Sequence, residues 1–288
     1  MKRATILLVI LLLPLSGVAG AAPPATQPGG GENVRCAVIG GIADTGLWDA
    51  LAERFAKEAG RKSEIVASGP KDGIDAVFRS GKADLIVIHG SDTAVNLVAD
   101  GWAMEMTPWA RNDMVIVGPP EDPAGASESN GDAVAALKAI IKAKSPFVVH
   151  SSLGAQEVLR DVMNAGGGIE FDPDQLTVLF DDRQRRVLHV AAEKQAYTLC
   201  GRIPFLSGKI PNDGMKVVCK GDPRLRRAFV VAVADPQRVP TARVEAARRL
   251  SAFLRSPRTQ AFLAEFGRGK YDDQPLFYPV GMQLTTQP

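Results

Sequence analysis

Short apolar runs alternate with amphipathic stretches along the first half of the chain. Residues 34–39, VRCAVI, predict a buried strand. Leu47, Trp48, Leu51, Ala52 and Phe55 then recur at helical spacing, which predicts a helix with Asp44 as its N-cap and Gly60 at its close. The same reading gives strands over 64–67 and 84–88, and helices over 72–80 (Ile74, Val77 and Phe78 inward) and 91–99. Strands that alternate with helices in this way pair in parallel and are covered on both faces, so the fold class is α/β.

Residues 111–125, RNDMVIVGPPEDPAG, break that rhythm. A polar Asn112-Asp113 pair leads into Met114, Val115, Ile116 and Val117, and Gly118-Pro119-Pro120 then stops the strand, because proline cannot extend a ladder. Residues 229–236, FVVAVADP, repeat the design. Two buried strands that leave their sheet abruptly suit segments crossing between two lobes, with a ligand cleft between them. The second lobe is read as helix 132–144 (Val134, Leu137, Ile140 and Ile141 on one side), strand 147–149, helix 155–164, helix 184–199 and strand 215–219. Helices 241–255 and 257–267 complete the first lobe, with Ser256 capping the latter and Pro257 at its first position, and 274–280 is extended. The expected organisation is a signal peptide over 1–22 and a flexible leader over 23–32. Lobe 1 covers 33–117 and 229–280, lobe 2 covers 118–228, and 281–288 form a tail. No internal repeat is visible.

The signal reading rests on Lys2 and Arg3, an apolar run of about 12 residues and small residues up to Ala22, with a cut after Ala19 or Ala22. That run is too short to span a bilayer, and no cysteine follows it closely. Removing Lys2 and Arg3 changes the charge picture: 34 Lys and Arg fall to 32, against 32 Asp and Glu. The mature chain is then neutral, and nothing points to nucleic acid or an anionic membrane surface. Export permits a disulfide, and Cys200 and Cys219 are the nearer pair, but the sequence leaves the pairing open. Cys36 lies in an apolar run and reads as buried.

Ligands of open α/β sheets gather at strand C-termini and helix N-termini. Three stretches stand at such places. Gly40-Gly41 frees backbone N–H groups for an anion, or simply makes a tight turn. Ser68-Gly69-Pro70-Lys71 brings a lysine. His150-Ser151-Ser152 brings two hydroxyls and an imidazole, or merely a helix cap. A Ser–His hydrolase would need a carboxylate to orient His150 and lacks a Gly-x-Ser-x-Gly elbow, so no catalytic residue is assigned. His89, His150 and His189 have no metal-ligand spacing, so no metal or other cofactor is expected. Arg183, Arg185 and Arg186 beside Asp181 and Asp182 read as a charged surface loop. Aromatic residues are 6 %, too sparse for sugar stacking as the main binding mode.

Several stretches carry a family likeness. Asn112-Asp113-Met114-Val115-Ile116-Val117-Gly118-Pro119, Asp122-Pro123-Ala124-Gly125, Glu193-Lys194-Gln195-Ala196-Tyr197-Thr198-Leu199 with Arg202 beyond, Gly221-Asp222-Pro223-Arg224-Leu225, Gln274-Pro275-Leu276-Phe277 and Asp44-Thr45-Gly46-Leu47 occur in an order that resembles the extracytoplasmic tungstate-binding proteins of ABC importers. The resemblance implies a two-lobed type II periplasmic-binding-protein fold with two crossing strands. It also implies a monomer outside the cytoplasm that takes a tetrahedral oxyanion in its cleft and hands it to a membrane permease. By that resemblance the ligand contacts are Gly40, Gly41, Ser151, Ser152 and Arg202, with Lys71 and His150 beside them. This chain departs from the family where the anion should sit. Gly40-Gly41-Ile42 replaces a Thr-Thr-Ser-like run, and Ser68-Gly69-Pro70-Lys71 stands near a glycine-threonine-glycine turn. Val149-His150-Ser151-Ser152-Leu153-Gly154-Ala155 replaces a Ser-Arg-Gly-Asp-Asp-Ser-Gly-Thr run, so that His150 stands where the arginine was. The alternative is a sensor or partner-binding module on the same fold with altered or lost anion specificity.

Overall fold

A computed structural model of the chain describes residues 33–150, 153–180 and 184–281. Its first strand, β1 (Val34–Ile39), is apolar except for Arg35 and nearly all buried, as a strand covered on both faces must be. A single turn, α1 (Gly40–Ala43), and the longer α2 (Leu47–Ala59) follow. Asp44 does not cap α2 as expected. It closes α1, its carboxylate pairs with Lys209, and a left-handed Gly46 stands at the head of α2. Next come β2 (Ser63–Gly69), α3 (Lys71–Arg79), β3 (Leu85–His89) and α4 (Asp92–Ala99). β1 pairs in parallel with β2 and β3. Leu47, Trp48, Leu51 and Phe55 of α2 and Ile74 and Phe78 of α3 are buried in one core with β1 and β3.

The 16-residue β4 (Ala103–Gly118) then joins two sheets. The remaining elements are α5 (Ala133–Lys142), β5 (Phe147–His150), α6 (Leu153–Ala165), β6 (Leu176–Leu179), α7 (Gln184–Glu193), β7 (Tyr197–Gly201), α8 (Arg202–Leu206), β8 (Lys216–Cys219), β9 (Arg226–Ala234), α9 (Val244–Leu254), α10 (Pro257–Glu265) and β10 (Tyr278–Pro279). Strand order is β2-β1-β3-β9-β4-β7-β5-β6, with β8 and β10 also on β4. From Ala103 to Asp113, β4 runs antiparallel to β9 in the first sheet. From Met114 onward it pairs with β7 and β8 in the second. The passage between lobes therefore falls at Asn112-Asp113, just before the apolar run. β5 pairs in parallel with β6 and β7, as α/β alternation predicts.

Period-2 alternation divides the second core into two halves. Met114, Ile116, Phe147, Val149, Tyr197 and Leu199 face α5 and α6. Val115, Val117, Val148 and Cys200 face Val187, Leu188 and Ala191 of α7 and Phe205 of α8. Three helix starts and stops behave as the sequence suggests. Asp132 accepts from the Val134 and Ala135 N–H groups at the head of α5, and Ser256 caps α10 with Pro257 next to it. Gly60 closes α2.

The helix expected over 184–199 is a correction. α7 ends at Glu193, Gln195 takes φ +49°, and Ala196, Tyr197, Thr198, Leu199 and Cys200 are all buried in or beside β7. An aromatic and a β-branched residue in an unbroken apolar run suit a central strand better than a helix tail. The motif residues around it make a lock. A Cβ on Gly118 would stand 3.3 Å from Tyr197 Cζ and nearer still to its ring edge, so only glycine admits the ring. The Tyr197 hydroxyl donates to Asp122 Oδ1 (2.7 Å) and accepts from the Ala124 N–H (3.0 Å). Burial works against the Asp122 charge, but hydrogen bonds from Ser127, Tyr197 and the Ala126 N–H hold its carboxyl below the usual range. Asp222 likewise accepts from Ala133 N–H (2.8 Å) and from Arg224. Cys36, Cys200 and Cys219 are buried free thiols, so the Cys200–Cys219 bridge is not formed. Residues 181–183 of the charged loop lie outside the described residues. Among the described residues no helix is long and apolar enough to cross a membrane.

Candidate functional site

The C-terminal ends of β2, β1 and β3 share one sheet edge because the three strands are parallel. Ile39 stands opposite Gly69, and a Cβ on Gly40 would lie 3.4 Å from the Gly69 carbonyl. Gly40 and Gly41 are thus next to the turn that delivers Lys71, the first residue of α3. β3 ends at His89, and the Gly90 N–H donates to the Ala228 carbonyl (2.9 Å), which ties this edge to the first residues of β9. His150 ends β5 opposite Leu179. Ser151 and Ser152 lie outside the described residues, and Gly154 is the second residue of α6.

The ribbon that β4 and β9 form between the lobes has two chemically different faces. Registers fix them: Asp113 is opposite Arg226, Asn112 is opposite Arg227, and Phe229 is opposite both Ala110 and His89. Directly opposed residues share a face, and neighbours along a strand alternate.

One face is closed by a buried ion-pair network. Arg202 is fully buried. Its Nε donates to Asp113 Oδ1 (2.8 Å) and Oδ2 (2.9 Å), its Nη1 to Asp272 Oδ1 (3.0 Å) and its Nη2 to the Pro275 carbonyl (2.5 Å). Tyr278 Oη lies 3.0 Å from Asp113 Oδ2, and the Arg226 guanidinium sits 3.9 Å above the Tyr278 ring. Burial pushes the Asp113 carboxyl up, and Arg202 and Tyr278 pull it back. This weighs against Arg202 as a contact in the cleft: each of its three nitrogens already donates to a protein oxygen, which gives it a structural role. It fastens β7–α8 to β4 and to the chain near 272–278. A cavity of about 550 Å³ is lined by Arg202 itself together with Ser127, Asn130, Lys220, Asp272 and Gln274 and shares no residue with the other face.

Arg226 Nε and Nη1 on the network's face are buried without a hydrogen-bond partner among the described residues, and the opposite face has such atoms as well. His89 stacks on Phe229 with ring centroids 4.2 Å apart. Its Nδ1 and the Asn112 Oδ1 are buried polar atoms without a hydrogen-bond partner among the described residues. Asn112 is side by side with Arg227, whose guanidinium reaches the first turn of α6: a Cβ on Gly154 would be 2.7 Å from Arg227 Cζ and closer still to Nη2. Burial pushes the Arg227 guanidinium below its usual range, and the Glu157 charge opposes that. His89 is pushed down to about 3, first by burial, then by the charges of Arg227 and Lys71. A neutral imidazole carries a single N–H, and the Ala228 backbone is a hydrogen-bond partner of the His89 ring, whereas an amide whose two ends have no fixed partner can turn its NH₂ inward. Arg227 and Lys71 thus place two positive charges around His89, Asn112 adds an amide beside Arg227, and the Glu157 carboxylate is the opposing charge.

Sequence reasoning placed Gly40, Gly41, Lys71 and His150 at strand ends, and there they stand. It passed over His89 and Arg227. The same strand-end rule applied to residues 84–88 points to His89. Arg227 had its own signal, two arginines directly before a run of buried strand residues.

Comparison with known proteins extends this picture. The chain is 28 % identical over 277 residues to the tungstate-binding protein TupA of Peptoclostridium acidaminophilum, covering 94 % of this chain and 95 % of that one. It is 26 % identical over 250 residues to a putative ABC transporter anion-binding protein of Haloferax volcanii, covering 85 % and 71 %. Its fold matches the solved tungstate-binding protein TupA of Desulfovibrio alaskensis with a TM-score of 0.68 at 24 % identity, over 86 % of this chain and 99 % of that one. The profile of the bacterial extracellular solute-binding proteins matches residues 37–268, and the chain belongs to that family.

Proposed function

We propose that this protein captures a tetrahedral oxyanion of the tungstate and molybdate type in the cleft between its two sheets and delivers it to an ABC permease. The observation that carries the reading is the Asn112 and Arg227 face of the β4–β9 ribbon, where Lys71, His89 and Arg227 gather near two strand ends. A tetrahedral dianion is all acceptors, so a lining of donors selects for it. The similarity over 94 % of the chain to a tungstate-binding relative supports the ligand class. Gly40, Gly41, His150, Ser151 and Ser152 are the further contacts, supplied as the lobes close. In this reading the lobes are residues 33–117 with 229–280, and residues 118–228, except that 114–117 pair with β7 and β8 and so go with the second lobe. Residues 1–22 are an export signal, the mature protein is a periplasmic monomer, and no covalent chemistry is performed on the ligand.

Calorimetric titration with tungstate, molybdate, sulfate and phosphate tests the proposal. One-to-one binding of tungstate or molybdate is expected. No heat with any of the four, at tens of micromolar protein, would remove it.

A further inference from the structure

By its resemblance to the tungstate-binding proteins the chain carries His150 in place of an arginine ahead of α6, and the structure shows a different arginine, from another element, reaching the first turn of that helix. Arg227 starts on the β4–β9 ribbon and extends to the first turn of α6, where the missing side chain of Gly154 is what leaves room for its guanidinium. Two independent features mark the spot as built for a guest. Asn112 Oδ1 and His89 Nδ1, on the same ribbon face, are buried and unpartnered among the described residues. A folded protein rarely leaves such atoms unsatisfied, because each costs about 1–3 kcal/mol. No hydrogen-bond acceptor for the Arg227 side chain is found among the described residues; its charge and that of Lys71 both bear on His89, and Glu157 is the charge that opposes its own burial. A cation in such surroundings gains most from a ligand that carries more than one negative charge.

Resting on the oxyanion reading above, we infer that Arg227, admitted by Gly154 and flanked by Asn112 and His89, is the residue that makes this site select a doubly charged oxyanion over a singly charged one. The specificity element is thereby moved from the helix head to the ribbon between the lobes. Two partners follow from this. Gly154 is a positioning residue, because any side chain there displaces the guanidinium. Asn112 fixes the lateral position of Arg227 and turns its amide to the anion.

Tungstate and perrhenate test the inference, since they are tetrahedral ions of similar size that differ by one unit of charge. The unaltered protein is expected to prefer tungstate by about 100-fold or more. Arg227→Gln should weaken tungstate binding about 100-fold and perrhenate binding far less, so the preference collapses. Arg227→Lys should recover part of it. Gly154→Ala should weaken tungstate about tenfold with Arg227 still present. Apo Arg227→Gln should unfold at no lower temperature than the unaltered protein, because a buried cation without an acceptor has been removed; a purely structural arginine would show the opposite. Arg227→Gln that binds tungstate within about threefold of the unaltered protein and keeps its preference over perrhenate would overturn the inference and leave the oxyanion reading standing. Failure of the unaltered protein to bind tungstate at all would overturn both.

Discussion

His89 and Arg202 show how one ribbon gives two polar residues opposite fates. His89 is held neutral, with its pKa near 3 in the fold against about 6.5 when unfolded. The unfolded chain therefore binds a proton that the folded one refuses as pH falls through 6.5, and stability declines in the acid direction from that point down to about 3. Over the interval from pH 6.5 to 5 the loss approaches 2 kcal/mol at about 1.36 kcal/mol per unit. Urea unfolding at several pH values should show that slope, and His89→Gln should flatten it; an unchanged slope would mean that His89 titrates normally. Arg202 is charged, buried and ion-paired with Asp113 and Asp272. Arg202→Met would strand Asp113 and Asp272 and should cost about 3–5 kcal/mol in chemical denaturation. The variant's folded fraction should still bind tungstate as the unaltered protein does, since the network lies on the other face of the ribbon. A large loss of affinity without loss of stability would restore Arg202 as a ligand contact.

At the scale of elements, the parts of the fold that could be read from the chain were those whose pattern is local. β1, α2, β3 and α5 announce themselves through unbroken apolar runs or 3.6-residue spacing with a stop residue at the end. β7 did not, because Ala191 and Ala196 continue an apolar pattern across the turn at Lys194-Gln195, and only the strand's place between β4 and β5 decides it. The first part of β4 was missed for a related reason. Its ladder shifts register between Pro108 and Ala110, so alternation is lost where the strand bends. β6 is a four-residue edge strand with Phe180, 73 % exposed, just past its end, so it has no buried run to betray it. Site residues divided in the same way. Strand-end glycines and Lys71 were legible, whereas the role of Arg227 depends on which face of a ribbon it takes, and register is a tertiary fact. The lock at Gly118 gives a test at this scale. Gly118→Ala forces a methyl into the Tyr197 ring and should cost about 1–3 kcal/mol in thermal or urea unfolding. Tyr197→Ala in the same background should remove most of the added penalty; full additivity of the two changes would mean that the glycine and the ring do not meet.

On the scale of the whole molecule, two sheets are joined by β4, which continues from one into the other, and by the chain that returns through β9. Asp44, after β1, and Lys209, after α8, form an exposed ion pair between segments 165 residues apart. Such a pair contributes about 1 kcal/mol or less, so Lys209→Ala should barely change stability but should loosen closure. Small-angle scattering would show this as a smaller contraction on adding tungstate than the unaltered protein gives; equal contraction would leave the pair without a role. The central claim is that the anion sits against the Asn112 and Arg227 face of the ribbon. Anomalous diffraction at a tungsten absorption edge, from crystals grown with tungstate, tests it most directly. The account predicts one tungsten peak within hydrogen-bonding reach of Arg227, between the ends of β1 and β3 and the first turn of α6. A peak in the cavity lined by Lys220 and Asp272, or none at all, would contradict it.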